Sequence, residues 1–257
     1  MKDLKFRSFS FSSFENDQAV VFCIAFNKPL CIEIMIDCWN KFAHNTKLIV
    51  VDNSSDKKAK LKIRECCNKS SIDYIELPEN PEWHPNRSHA LAMNWVYYNI
   101  VQAIKPSLFG YIDHDCFPYT NFDLSGKMEG FKVMGERRFS SKKLKSWNLW
   151  AGFCFYDRTF IADRIVNFTH SIELGLDTGG GNWHSIYIDL DELDAAFSSV
   201  ILGSEFMYNS GQQFHCIIDD FVHLGSMSHA TKSKNMSKES ISSLIPQLSK
   251  AIKVINV

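Results

Sequence analysis

At 257 residues, 45% hydrophobic and 22% charged, with 20 Phe and 6 Trp, the chain is long enough to bury one large core and unlike the charge-rich, aromatic-poor composition of disorder. A formal net charge of −1 and a pI of about 6.7 exclude the broad basic field that holds a nucleic-acid backbone, so no nucleic-acid partner is expected. The 8 cysteines form no C-x-x-C or C-x-x-H pair and several lie in apolar runs, which excludes a zinc-finger frame and points to a reducing compartment.

The opening stretch MKDLKFRSFSFSSFENDQ interleaves aromatic side chains with charges and serines, unlike the apolar core of a signal peptide. No window holds the ~18 apolar residues needed to span a bilayer. A soluble, cytoplasmic protein is expected. Peripheral contact with the inner face of a membrane is compatible with that, and nothing in the sequence specifies an oligomeric state.

The first predicted strand is AVVFCIAF (19–26), a continuous β-branched and aromatic run suited to burial on both faces. Asn27, Lys28 and Pro29 break it, and Pro29 is placed to open a helix over 30–42, where Ile32, Met35, Ile36 and Trp39 recur at helical spacing. KLIVV (47–51) predicts a second strand ending at Asp52, Asn53, Ser54, Ser55 and Asp56, short polar residues that favour turns and helix starts. A helix over 57–68 and a short strand over 72–77 follow. PENPEWHPNR (78–87) is a proline-punctuated loop, and Ser88 is a candidate N-cap for a helix over 89–104. A strand over 108–112 then runs into Asp113-His114-Asp115. Three strand-helix steps before a fourth strand predict an α/β fold with a mainly parallel central sheet and ligands at the carboxyl ends of its strands.

The second half is less regular. It predicts a strand over 131–135, a basic loop over 136–145, a strand over 150–156 and a helix over 159–171. After these come a glycine-rich stretch over 177–181 and an acidic helix over 189–197. Residues 231–257, rich in Lys and Ser with Ile and Leu at intervals, read as a tail or an amphipathic helix.

Two carboxylates one residue apart at a strand end can approach one hard cation, and that cation can bridge a diphosphate. A D-x-D triplet alone is common on solvated turns. This one closes the apolar strand LFGYI after three strand-helix units, a context that a turn serving only solubility does not need.

VVFCIAFNKP, LIVVDNSSD, ENPEWHPNRSHALAMNW and YIDHDCFP, in that order over about the first 120 residues, resemble the family 2 glycosyltransferases of the GT-A fold. The resemblance implies a Rossmann-like sheet flanked by helices with a smaller acceptor-side region. It implies one domain over 1–230, with a nucleotide-binding half over 1–120 and an acceptor half over 121–230. It also implies a nucleotide-sugar donor, with UDP the commonest nucleotide, a saccharide or lipid-linked acceptor, and Mn2+ or Mg2+ as cofactor. The setting it implies is bacterial surface-polysaccharide or lipopolysaccharide assembly.

By the same resemblance Phe26, Asn27, Asp52 and Asn53 lie at the nucleotide base, and Arg87, Ser88 and Asn94 at the ribose and phosphates. Asp113, His114 and Asp115 lie at the diphosphate and metal. FVHLGSMSH resembles a late segment whose imidazole reaches back to the metal, giving His223 as a third ligand with His229 as alternate. WNLWAGFCFY resembles the strand after the acceptor-side loop that shapes the sugar pocket, giving Trp147, Trp150 and Gly152 a place there, with core packing as the competing reading.

Inverting transfer needs a base for the acceptor hydroxyl, and a carboxylate is the usual choice. Asp177, which opens DTGGGNW, is favoured. Asp189 and Asp191 in YIDLDELD are the other candidates, set against their reading as an exposed acidic face. RRFSSKKLK concentrates five basic residues that could close over the donor diphosphate, hold a phosphate of a lipid-linked acceptor, or simply be solvated. Rival readings are a retaining transferase, a nucleotidyltransferase on a related sheet, and a non-catalytic nucleotide-sugar binder.

Overall fold

The computed structural model describes residues 18–203 and 215–225. His229 and residues 231–257 lie outside the described residues, as does residue 17 and all that precedes it. The apolar runs become β1 (Ala19–Ala25), β2 (Thr46–Asp52), β3 (Asp73–Glu76) and β4 (Leu108–Asp113). Between them lie α1 (Pro29–Phe42), α2 (Lys57–Lys69) and α3 (Pro85–Val96). A π-helical turn, Tyr97–Val101, and α4 (Gln102–Ile104) extend α3 without a break, and Lys105 ends the helix in the left-handed region at φ 49°.

Alternation along β1 explains its continuous hydrophobicity. Ala19, Val21, Cys23 and Ala25 face a core shared with α1 and α2, while Val20, Phe22 and Ile24 face a second core shared with α3 and Tyr97. A strand covered on both faces has no polar side to show.

Beyond β4 come β5 (Cys116–Pro118), α5 (Leu124–Lys127), β6 (Val133–Phe139), β7 (Trp147–Asp157) and α6 (Arg158–Ile161). They are followed by β8 (Ala195–Phe197), β9 (Val200–Leu202), β10 (Cys216–Ile218) and β11 (Phe221–His223). The central sheet has 7 strands in the order β3-β2-β1-β4-β7-β6-β8, and a smaller sheet of 4 strands runs β5-β11-β10-β9. In the central sheet β7 alone runs against the rest, pairing antiparallel with both β4 and β6. The fold class is therefore the expected one: α/β, with a mainly parallel central sheet flanked by helices and a smaller region beside it.

Several expectations differ from the structure. Ser88 is not an N-cap: α3 starts at Pro85, whose fixed φ suits the first helical position, with His84 in the cap, so Ser88 falls in the first turn. The basic stretch is not all loop. Its first residues continue β6 to Phe139, and a tight turn closed by Ser140 N–H donating to the Ser146 carbonyl leads into β7.

The helix expected over 159–171 stops at Ile161. Asn94 Oδ1 accepts from Phe168 N–H and Asn182 Oδ1 from Asn167 N–H, so side chains satisfy amides that a helix would have used. The acidic helix expected over 189–197 is instead a short 3-10 turn, Glu192–Asp194, capped by Asp191, and then the edge strand β8, parallel to β6.

None of the eight cysteines is in a disulfide, and seven are buried. Burial pushes the Cys31, Cys38, Cys67 and Cys154 thiols up to about 12, so they act as small hydrophobes. Among the described residues no helix is long and apolar enough to cross a membrane.

The contact between β4 and β7 is tight at Gly110. A Cβ there would stand 2.1 Å from Phe155 Cδ1 and 2.8 Å from the Cys154 carbonyl oxygen. Gly110→Ala is expected to lower unfolding free energy by about 3 kcal/mol through overpacking, measured as a lower urea midpoint at unchanged m-value.

Candidate active site

Register brings the polar residues together. Ala25 pairs with Asp52, Ile24 with Asp113 and Asp52 with Glu76, so parallel strands end level and their carboxyl ends form one floor. Above that floor is a cavity of about 1210 Å3, walled by residues 78–83 of the proline loop, the start of α3, and Trp150, Gly152 and Asp177.

Asp113 ends β4, and Asp115 closes the two-residue turn into β5. Antiparallel pairing of β11 with β5 sets His223 opposite Cys116, and Leu224 N–H donates to the Asp115 carbonyl. His223 Nε2 then stands 3.5 Å from Asp115 Oδ1, with both side chains almost fully buried. His89 reaches in from the start of the second turn of α3, its Nδ1 3.6 Å from Asp113 Oδ1.

Burial alone would lower the His223 pKa. Hydrogen bonding to Asp115 and Cys216, with the charges of Asp115 and Asp113, outweighs it and raises the value from 6.5 to about 10. These interactions favour the protonated imidazole beside the two carboxylates.

The residues fit a divalent ion. One ligand atom each from Asp113, Asp115 and His223 lie within 4.8 Å of one another, a mixed oxygen and nitrogen set that suits Mn2+ and, through its carboxylates, Mg2+. Among the described residues the Nε2 atoms of His89 and His114 are also buried without a hydrogen-bond partner, leaving polar capacity around the carboxylates. A second cluster, His215, Cys216 and His223, shares the same imidazole: Cys216 Sγ lies 3.9 Å from Nδ1 while Asp115 faces Nε2.

Asp52 is fully buried and engaged on both oxygens, accepting from Ser54 N–H at 2.9 Å and from the Tyr74 hydroxyl at 2.8 Å. Asn53 donates to Ser88 Oγ at 3.0 Å and accepts from Asn80, whose amide also reaches Ser88 Oγ. This trio pins α3 and the proline loop to the end of β2. Asn27, at φ 54°, ties the loop after β1 to that after β2, accepting from the backbone of Ser55 and Asp56 and donating to Ser54 Oγ.

His114 turns inward, with Nδ1 3.3 Å from the Ile24 carbonyl oxygen. Trp150 packs against His223 at a ring separation of 4.6 Å. Gly152 is where a side chain cannot be: a Cβ would come within 2.6 Å of Asp113 Oδ2 and 2.3 Å of the Trp150 ring.

The structure therefore gathers Phe26, Asp52, Asn53, Ser88, Asp113, His114, Asp115, Trp150, Gly152 and Asp177 around one cavity. His223 joins its floor through Asp115. Asn27, Arg87, Asn94, Trp147, Asp189 and Asp191 do not line it; Trp147 packs on Tyr187 in the core instead. Arg87 pairs with Glu82 and lines a neighbouring cavity of about 780 Å3; Asn94 braces the segment at 167–168; Asp189 is exposed, and Asp191 caps its 3-10 turn.

Sequence reading missed His89, Asn80, Asn86 and Thr178, all of which line the larger cavity. His89 was legible in principle. Once Pro85 is taken as the helix start, the residue four positions on falls on the same side of α3.

No family model matches the chain, and no curated protein matches it. Among solved structures it is similar to a mannosyltransferase from Pyrobaculum calidifontis in complex with GDP-Man and Mn2+, at 11% identity and TM-score 0.40, covering 56% of this chain and 46% of that one. It is similar to S. aureus TarS at 14% identity and TM-score 0.41, covering 62% of this chain and 32% of that one. A third is glucosyl-3-phosphoglycerate synthase from Mycobacterium tuberculosis in complex with Mn2+, UDP and glucosyl-3-phosphoglycerate, at 16% identity and TM-score 0.39, covering 59% and 61%. The chain spans less than two thirds of the length of each. A likeness of this degree carries no argument about chemistry, which rests on the side chains themselves.

Because the folded state raises the His223 pKa, protonation contributes stability that is whole below pH 6.5 and is lost as pH rises toward 10 in the absence of metal. A cation on Nε2 must displace that proton. Mn2+ binding at pH 7 is expected to release about one proton per ion and to tighten as pH rises, read by calorimetry in two buffers of different ionisation enthalpy. Binding with no proton release would show that His223 is not a ligand.

Proposed function

We propose that the protein is a metal-dependent, inverting glycosyltransferase. In this reading it moves a sugar from a nucleoside-diphosphate sugar, UDP-linked by preference, to a saccharide or lipid-linked saccharide acceptor. The observation that carries the reading is the meeting of Asp113 and Asp115, which line the larger cavity, with His223 directly behind Asp115, and with Asp177 in the wall. The bacterial surface-polysaccharide setting and the cytoplasmic location come from the sequence resemblance and composition alone.

Asp113, Asp115 and His223 would hold the ion. Bound there, it supplies Lewis-acid neutralisation of the departing diphosphate. Asn53, Ser88 and Asn80 keep the proline loop and α3 against the β2 end, which fixes the shape of the donor side of the cavity. Trp150 and Gly152 form the wall beside Asp113: the indole presents an apolar face for a sugar, and the missing side chain leaves the carboxylate its room.

The base role goes to Asp177 in preference to Asp189 and Asp191, because Asp177 lines the cavity and they do not. Its Oδ1 accepts from Asn86 Nδ2 and Thr178 N–H, both at 2.8 Å, leaving Oδ2 to receive a proton. In the transfer, the acceptor hydroxyl oxygen bonds to the anomeric carbon as its proton passes to Asp177. The bond from that carbon to the diphosphate oxygen breaks, and its electron pair leaves with the nucleoside diphosphate.

A screen of nucleotide sugars with Mn2+ is expected to release nucleoside diphosphate, and Asp113→Asn or Asp115→Asn to lower that release about 100-fold or more. Pyrophosphate release would favour a nucleotidyltransferase, retained anomeric configuration a retaining enzyme, and binding without turnover a sugar-nucleotide binder. Asp177→Asn is expected to keep Mn2+-dependent UDP binding and to lower transfer about 100-fold or more. Wild-type transfer by Asp177→Asn would move the base elsewhere.

A further inference from the structure

The smaller cavity adjoins the larger one and shares Asn86, Trp150 and Asp177 with it. Its charge is of the opposite kind. In the lining of the larger cavity the carboxylates of Asp52, Glu76, Glu79, Glu82, Asp113, Asp115 and Asp177 outnumber the cations Lys57, Lys60 and Arg64. Around the smaller one stand Arg87, Arg138 and Lys142 with the imidazoles of His84 and His170, and Asp177 is its one carboxylate. Glu82 and Glu136 pair with Arg87 and Arg138 from outside that lining. Among the described residues Lys142 has no carboxylate partner; its ammonium donates to the Glu173 carbonyl at 3.2 Å.

The cations are held in place. Ser140 Oγ donates to the Leu174 carbonyl and Ser141 N–H to that of Gly175, while Lys142 N–H donates to Ser140 Oγ. Gly175, at φ +64°, lets the two strips lie so close that a Cβ there would be 2.8 Å from Lys142 Cγ. Arg138 lies over the Trp150 ring at 5.5 Å. Cations fixed by stacking and backbone bonds lose little freedom when an anion arrives, and a guanidinium fork beside an ammonium matches the several oxygens of a phosphate better than the two of a carboxylate.

Resting on the transferase reading above, we infer that the smaller cavity binds the acceptor and that the acceptor carries a phosphate group, from a soluble sugar phosphate or a phospholipid headgroup. Its phosphate lies toward Arg138 and Lys142, and the hydroxyl that takes the sugar lies at Asp177. The basic stretch of β6 and its turn thus serves the acceptor, with the donor diphosphate left to the metal site.

The test uses the full chain with Mn2+ and UDP present and four probes: glucose, glucose 6-phosphate, and vesicles of phosphatidylcholine with or without phosphatidylglycerol. Expected is binding of glucose 6-phosphate, or of the phosphatidylglycerol vesicles, about 10- to 100-fold tighter than the uncharged counterpart. Lys142→Glu should abolish the difference and Lys142→Arg retain it, with UDP binding unchanged in both. The sugar phosphate responding identifies a soluble acceptor, and the vesicles responding a lipid-borne one. No preference for either anion, or a preference indifferent to Lys142→Glu, overturns the inference. Failure of Mn2+-dependent UDP binding in the same samples overturns the transferase reading instead, so the two are read separately.

Discussion

The site depends on the in-register parallel pairing of β1 with β2 on one side and β4 on the other. Ile24 stands opposite Asp113 and Ala25 opposite Asp52, so three chain segments far apart in sequence stop at the same height. Because β1 is buried on both faces, a slip of one residue would exchange the Val21 and Cys23 face with the Phe22 and Ile24 face and strand bulky side chains in the wrong core. Core packing therefore fixes register, and register fixes where the carboxylates stand.

The second constraint is electrostatic. Asp115 is almost wholly buried beside Asp113, and an unpaired charge in such a place is costly. The small antiparallel sheet relieves this by delivering His223 across from Cys116. On the outer side, Trp150 and Gly152 close the wall from β7, where the pleat slips phase: Leu149 and Ala151 face one core and Cys154 and Tyr156 face the same core one strand position out of step. The β6 partner shifts register at the same place, between Gly135 and Arg137, so a bulge aims the indole at the site.

How much of this was legible follows from how locally each feature is determined. β1, β2 and β4 announce themselves as continuous apolar runs, and the Asp113-His114-Asp115 triplet stands out because it closes one of them. Ser88 misled, since its hydroxyl looks like a cap while its partners are Asn53 and Asn80 from other segments. The segment after Ile161 has helical spacing but surrenders its amides to Asn94 and Asn182, neither of which is near it in sequence. β5, β9, β10 and β11 are three residues each, too short to carry a period, so the sheet that brings His223 home left no local trace.

The chain order of these parts bears on how the molecule is made. Emerging from the ribosome, β1 to β4 can assemble their layer while His223 has yet to be synthesised, and at that stage Asp113 can meet His89 of α3 but Asp115 still lacks His223. The late hairpin of β10 and β11 then zips onto β5 and closes an acidic gap. A proton carried in on the imidazole can balance that gap, and a divalent ion would compete with it for the same place, so on the proposed reading the last step of folding and the loading of the site would be coupled.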